Sequence, residues 1–443
     1  MPNDAVKPRR LLGTFDATMI VMGGIVGSGI FINPYVVAQR VHSAFLILAV
    51  WLAGGIMAML GAFIWAELAT RLPGAGGQYL YLRQAYHPSV AFLYGWVLLL
   101  VTQTGGMAAV AVTFARYFRE ITGIAARDGT LAAGALLGLT AINCLGVRAG
   151  SNVQSALMLT KAAAIAVLVA AGLLLGGHHA PPLAGAADAA PHGFGLLASL
   201  GAAIIPVAFA YGGWQTSSFV AAEMRDPRRD LSRGLVLGVA CVVLLYLFVN
   251  FVCVRVLGPA GLAATPTPAS AVMRAAMGDR GGQWIALGIA VSTLGFLSQS
   301  ILTAPRVYYA MACDGLFFER VGRLSPRTGA PVTAIVLQGF AASAIAVLGR
   351  YEQILNYVTS IDFISFALTS AAVFVLRRRE AASGPASEIY RVPGHPFTTG
   401  IFVVAAAGIV LATFYSYPRN SVVGLGILAA GIPVYLYWSR RQA

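Results

Sequence analysis

Charge is scarce in this chain of 443 residues: 30 lysines and arginines and 16 aspartates and glutamates make up only 10% of it, while 58% is hydrophobic. A soluble domain carries roughly 25% charged residues, because its surface has to face water. Without that supply, most of the exterior must face lipid. A soluble enzyme is excluded, and so is a disordered chain, which needs low hydrophobicity. A transmembrane β-barrel fits poorly. Barrels show short alternating segments, whereas the apolar runs here exceed the roughly 20 residues a helix needs to cross a bilayer. Histidine is scarce too. All six (His42, His87, His178, His179, His192 and His395) fall in or near loops, which argues against a buried histidine relay and against a metal site. The four cysteines, Cys144, Cys241, Cys253 and Cys313, lie in or beside apolar segments without metal-ligand spacing and read as small buried side chains. Neither a metal nor a cofactor is expected.

What the chain does have is long apolar windows, twelve of them. They run roughly over 13–38, 44–70, 89–115, 130–147, 153–176 and 196–222, then 234–257, 283–311, 331–348, 354–376, 398–416 and 421–439. The first follows Lys7-Pro8-Arg9-Arg10 and reaches about Val37, too long for the apolar core of a secretory signal. The fold class expected is an all-α integral membrane protein with twelve transmembrane helices. An even number of spans puts both termini on one side. Twenty lysines and arginines share that side, nine lie on the other and Lys161 falls mid-span, so both termini are expected in the cytoplasm of a multi-pass cell-membrane protein. The net charge of +14 therefore serves orientation against anionic lipid, and no nucleic-acid partner is expected. The longest connections are expected near 177–195 and 258–282 outside and near 312–330 and 377–397 inside. Asp314–Arg323 reads as an amphipathic surface segment.

Two windows carry glycine clusters in their middles. The first contains Gly23-Gly24-Ile25-Val26-Gly27-Ser28-Gly29 and the sixth contains Phe209-Ala210-Tyr211-Gly212-Gly213-Trp214-Gln215. Breaks in helices one and six fit two inverted five-helix halves, residues 1–177 and 193–377, followed by two further helices over 398–440. Interrupted helices at matching positions of inverted halves point to a transporter's binding site. Unwinding at membrane depth is tolerated only where the freed backbone is buried or lines a cavity. It leaves a half-helix N-terminus whose amides hold a carboxylate, and carbonyls that accept from an ammonium group. The competing reading of Gly23–Gly27 is a face for close helix contact. For Tyr211 and Trp214 it is an interfacial aromatic belt.

Lys161 lies about eight residues into helix five, roughly 12 Å at 1.5 Å per residue. A buried ammonium needs a partner. Ser292, Ser298 and an unwound carbonyl of helix one are candidate acceptors, and the charge can replace a bound cation that would tie helix one to helices five and eight. Snorkelling toward the inner surface is the bland alternative. Asp362 in helix ten reads either as a coupling or substrate-facing carboxylate or as a structural pair. Glu67, beside Arg71, reads as interfacial.

These residues carry a family resemblance. Gly13–Phe31 (GTFDATMIVMGGIVGSGIF), Trp65–Leu68 and Pro73–Tyr79 (PGAGGQY) resemble the amino acid–polyamine–organocation superfamily. Phe209–Gln215, Glu223–Pro227 (EMRDP) and Ala304–Tyr308 (APRVY) resemble its L-type amino acid transporter branch. The resemblance implies a twelve-helix inverted-repeat carrier of L-amino acids working by alternating access. It puts carboxylate-binding amides at Gly27, Ser28 and Gly29, and ammonium-binding carbonyls at Ile25, Phe209, Ala210 and Gly212. It makes Phe209 an aromatic gate and Lys161 the helix-five lysine that implies sodium independence. Gln215, counted with the substrate-binding residues, stands where animal relatives often have Asn or Asp, which leaves side-chain preference open. Those relatives join a heavy-chain glycoprotein through a cysteine between helices three and four. Phe118–Thr130 has no cysteine, so no disulfide-linked heavy chain is expected.

The function expected is sodium-independent exchange or facilitated transport of neutral L-amino acids. The rival is a proton-coupled carrier of cationic amino acids or polyamines, which needs an acidic residue by the side-chain pocket. Only Asp362 is available for it. A membrane enzyme would need a clustered nucleophile, base or metal set, and none is visible; a pore would not need two matched breaks.

Overall fold

The computed structural model describes residues 8–175, 194–348, 351–383, 389–416 and 418–441, with the backbone alone over 351–360. The expected outer connection near 177–195 lies almost wholly outside these residues. Among the described residues the regular structure is helical, apart from an isolated parallel bridge between Leu12 and Met224.

The helices in order are α1 (Thr14–Ile25), α2 (Gly29–Val41), α3 (Ala44–Arg71), α4 (Gln78–Ala85) and α5 (Pro88–Val97), which runs through a π-helical turn, Leu98–Thr102, into α6 (Gln103–Thr122). Then come α7 (Asp128–Cys144), α8 (Val147–Leu174) and α9 (Phe194–Ala210), followed by a 3-10 helix over Trp214–Glu223. The remainder are α10 (Ser232–Ala264), α11 (Pro268–Thr303), α12 (Pro305–Cys313), α13 (Val332–Leu348), α14 (Tyr351–Ser383), α15 (Phe397–Ser416) and α16 (Pro418–Arg440). Each of the twelve apolar windows falls on helix. By length and composition, eight helical stretches among the described residues can cross a membrane, and α1 with α2, bent by 44°, makes a ninth. The protein is a multi-pass membrane protein.

Two connections differ from expectation. Residues 258–282 are largely helical rather than a loop: α10 continues past a kink at Gly258 (φ 67) and α11 starts at Pro268 and kinks at Gly278 (φ 67). Glycine adopts that left-handed backbone without a Cβ clash, and Pro259 and Pro268 suit the first turn of a resuming helix. In Asp314–Arg323 the only regular structure is a short 3-10 turn, Glu319–Gly322, because Gly315 (φ 70) ends α12.

α1 and α2 sit at the centre, with α8, α10 and α11 around α1 and α9 against α2. The main packing pairs are α8 with α11, α3 with α10, and α7 with α13. An aromatic cluster fastens the second break to the outer helices: Trp214 meets Trp65 of α3 edge-on at 4.7 Å and stacks on Phe366 of α14 at 5.6 Å. On the outside, Phe45, Leu174, Phe248, Phe340 and Leu411 are exposed, as side chains facing lipid should be.

Glu67, near the end of α3, is fully buried within the protein, accepting from Arg71 Nε at 2.9 Å, Arg377 Nε at 2.8 Å and the Val392 amide at 2.7 Å. α14 and the segment after it bring Arg377 and Val392 from more than 300 residues away in sequence, so hydropathy around Glu67 does not reveal them. A second buried pair joins two of the sequence motifs: Arg306 Nη2 lies 3.0 Å from Glu223 Oε1.

Candidate functional site

The first break follows from the glycines. α1 ends at Ile25, Val26 turns extended (φ −74, ψ 91), and the helix resumes at Gly29. The amides of Gly27, Ser28 and Gly29 have no backbone acceptor. Two freed carbonyls are satisfied from other helices. Lys161 Nζ donates to the Val26 carbonyl, and the Tyr246 hydroxyl donates to the Ile25 carbonyl at 3.0 Å.

The second break ends α9 at Ala210. The Gly212 amide donates to the Phe209 carbonyl at 3.1 Å, and Gly213 takes a left-handed backbone (φ 111). The Gly213 amide donates to Gln215 Oε1 at 3.0 Å, while its carbonyl accepts from Thr216 Oγ1 at 2.6 Å. Tyr246 also reaches the Ala210 carbonyl at 3.3 Å, so one hydroxyl bridges both breaks.

The breaks cross in direct backbone contact. A Cβ on Gly213 would lie 2.0 Å from the Gly24 carbonyl oxygen, and one on Gly24 would lie 2.7 Å from that of Gly213. A Cβ on Gly29 would lie 3.2 Å from Ala210, whereas one on Gly27 would meet only Phe296, at 3.6 Å. Only glycine permits this approach.

A cavity opens at the crossing, about 930 Å³ including its mouth. Ile25, Gly27, Ser28 and Gly29 line one wall, and Phe209, Ala210, Gly212 and Gln215 another. The eight substrate-site candidates are thus brought together. The half-exposed Phe209 ring stands at the cavity, with Phe296, Phe363 and Phe366 also in its wall. Free amides at a helix start, carbonyls at a helix end and aromatic walls suit a small zwitterion with an apolar body. Among the described residues no group of histidine, cysteine or acidic side chains is arranged to hold a metal.

Lys161 lies behind the first break rather than in the cavity wall. It is fully buried, and a Cβ on Gly295 of α11 would lie 3.2 Å from its Cε, so its stem crosses from α8 over α11 to α1. The snorkelling alternative fails on this burial. The anticipated serine acceptors do not bond to it: Ser292 and Ser298 are buried with hydroxyls lacking a protein partner. Asp362 does line the cavity, accepting from Thr102 Oγ1 at 3.3 Å. Sequence reasoning missed Tyr246. The signal was a tyrosine, followed one turn later by Asn250, in the middle of an otherwise aliphatic span.

Comparison with known proteins bears on this geometry. The amino acid permease family model matches residues 12–438. The chain belongs to the amino acid permease family. This permease is similar to the serine/threonine exchanger SteT of Bacillus subtilis (strain 168), 29% identical over 446 residues and 98% of each chain. It is 28% identical to the large neutral amino acids transporter small subunit 2 of Mus musculus, over 98% of this chain and 83% of that one. It is 30% identical to the b(0,+)-type amino acid transporter 1 of Homo sapiens, over 83% and 76%. The permease is therefore a membrane transporter of the amino acid type and not an enzyme.

Proposed function

We propose that this permease is a sodium-independent exchanger or facilitator of neutral L-amino acids, working by alternating access across the cell membrane. The observation that carries the reading is the crossing of two broken helices at a cavity beside unbonded amides. The amides of Gly27, Ser28 and Gly29 take the substrate carboxylate. The carbonyls of Ile25, Phe209, Ala210 and Gly212 take its ammonium group. Tyr246 occupies one lone pair each on Ile25 and Ala210, and a carbonyl has two. Gln215 faces the side-chain end, and Phe209 closes over the bound molecule. The names of the exchanger from B. subtilis and the neutral amino acid transporter from mouse support the substrate class.

Lys161 supports sodium independence, because its ammonium ties α8 to the first break where a cation would otherwise serve. In the proposed architecture the twelve spans form two inverted halves, residues 1–177 and 193–377, with 398–440 added and both termini cytoplasmic. The ends on the side of the termini are tied together by Asp16 with Arg148 and Ser151, by Thr14 with Asp230, and by Glu223 with Arg306. These ties would hold that side shut in one state of the alternating cycle. With no cysteine over Phe118–Thr130, the permease works without a disulfide-linked heavy chain.

Counterflow in proteoliposomes with labelled leucine, alanine, serine and threonine tests the reading, with choline replacing sodium in a parallel set. Exchange of neutral amino acids at equal rates in both salts is expected. Absence of any such exchange, or a steep sodium dependence, overturns it.

A further inference from the structure

Among the described residues every ionisable side chain but one stays out of the cavity wall. Asp362 is the exception, and its partner is a single hydroxyl, Thr102 Oγ1 at 3.3 Å. That hydroxyl is presented by the π-helical turn Leu98–Thr102, an irregularity of the kind that recurs at functional sites. The elements packed on α14 are α3, α4, α6, α15, α16 and this turn. Among the described residues they bring no lysine, arginine or histidine into ion-pair contact with Asp362, and the titratable group in electrostatic range is Tyr94 of α5. The neighbouring walls are the aromatic rings of Phe363 and Phe366 and the amide of Gln103. An ionised carboxylate at membrane depth with one hydrogen bond and no counter-charge is costly, and a group so placed takes up a neutralising partner. The cavity admits two such partners, a proton and a cationic ligand group, and aromatic faces favour the second as well.

We infer that Asp362 is a cation-exchanging carboxylate at the side-chain end of the cavity, so that the permease accepts amino acids with a cationic side chain beside neutral ones and trades a proton for each. This rests on the cavity being the substrate site. With the cavity empty, or holding a neutral amino acid, the carboxyl keeps its proton and donates or accepts hydrogen bonds as a neutral group. When a side-chain ammonium arrives, the Asp362 O–H bond breaks, the proton passes to water in the cavity mouth, and the carboxylate pairs with the ammonium, which keeps all its own protons. One positive charge enters the cavity and one leaves it, so binding is electroneutral. Carrying a bare carboxylate across the membrane is thereby avoided on both legs of the cycle.

The test uses the purified permease in weakly buffered detergent solution with lysine and leucine as probes. Lysine binding should release about one proton per lysine bound and leucine binding none. Linkage then requires lysine affinity to fall about tenfold for each unit by which the pH is lowered, where the carboxyl is protonated, with leucine affinity flat. In proteoliposomes, Asp362→Asn should lower the lysine-to-leucine exchange ratio at least tenfold. Lysine bound without proton release, leucine bound while lysine is refused, or an unchanged ratio in the variant each overturn this inference while leaving the neutral-carrier reading intact. If neither amino acid binds, the cavity is not an amino acid site and both readings fall.

Discussion

The first break borrows its hydrogen bonds from far along the chain, and the second makes its own. Val26 is satisfied by Lys161, 135 residues away, and Ile25 by Tyr246, 221 residues away. At the second break, Gly213 bonds to Gln215 and Thr216, and Phe209 to Gly212. A locally closed break keeps its shape wherever its helix moves. A break closed from other helices changes partners when those helices shift, so it can couple ligand binding to global conformation. Among the described residues Tyr246 is the side chain that hydrogen-bonds to both breaks, which makes it the hinge pin between them.

The largest effect is expected where both breaks fail at once. Gly213→Ala puts a Cβ 2.0 Å from the Gly24 carbonyl on a left-handed backbone. Strain and clash together should cost more than about 3 kcal/mol, and size-exclusion profiles should show little folded protein. A stable Gly213→Ala protein with normal exchange would refute the crossing.

Lys161→Ala attacks the first break alone. It strands the buried Val26 carbonyl, at a cost of about 1–3 kcal/mol. Exchange rate and substrate affinity should both change, since the tie from α8 to the unwound segment is lost. Lys161→Arg should restore little, because a planar guanidinium does not replace a compact ammonium. Wild-type rate and affinity in Lys161→Ala would remove the lysine from the mechanism.

Tyr246→Phe sharpens the comparison. It removes the one hydroxyl proton that the Ile25 and Ala210 carbonyls share, about 1 kcal/mol in all, and should lower the unfolding midpoint and weaken substrate binding. Combined with Lys161→Ala, its effect should be non-additive by about 0.5–3 kcal/mol, because both bonds hold the same unwound segment. Strict additivity would show that the first break is not one unit.

The smallest effect belongs to Gly27→Ala, whose Cβ meets only Phe296 at 3.6 Å. Stability should stay within about 0.5 kcal/mol of wild type. Substrate affinity should drop modestly, as the methyl group shades one amide. A large loss of stability would mean that the first break is packed as tightly as the second.

Much of the architecture was legible because it is written in short-range signals. A deficit of charge placed the chain in lipid, and each apolar window became helix because only hydrogen-bonded backbone survives there. Glycine clusters marked both breaks, since only glycine allows two backbones to touch as Gly24 and Gly213 do. Other features had no local signature. The kinks at Gly258 and Gly278 replaced an expected loop because apolarity falls there without helix being lost.

The sequence by itself determined that this protein lives in the membrane, where its helices lie, and where two of them unwind. Tertiary structure alone decided which buried groups meet. It gave Lys161 the Val26 carbonyl rather than Ser292 or Ser298, buried Glu67 among Arg71, Arg377 and the Val392 amide, and turned Asp362 toward the cavity. The physical reason is range. Hydropathy and backbone freedom act within a few residues, whereas the partner of a buried charge is set by packing between helices far apart in the chain.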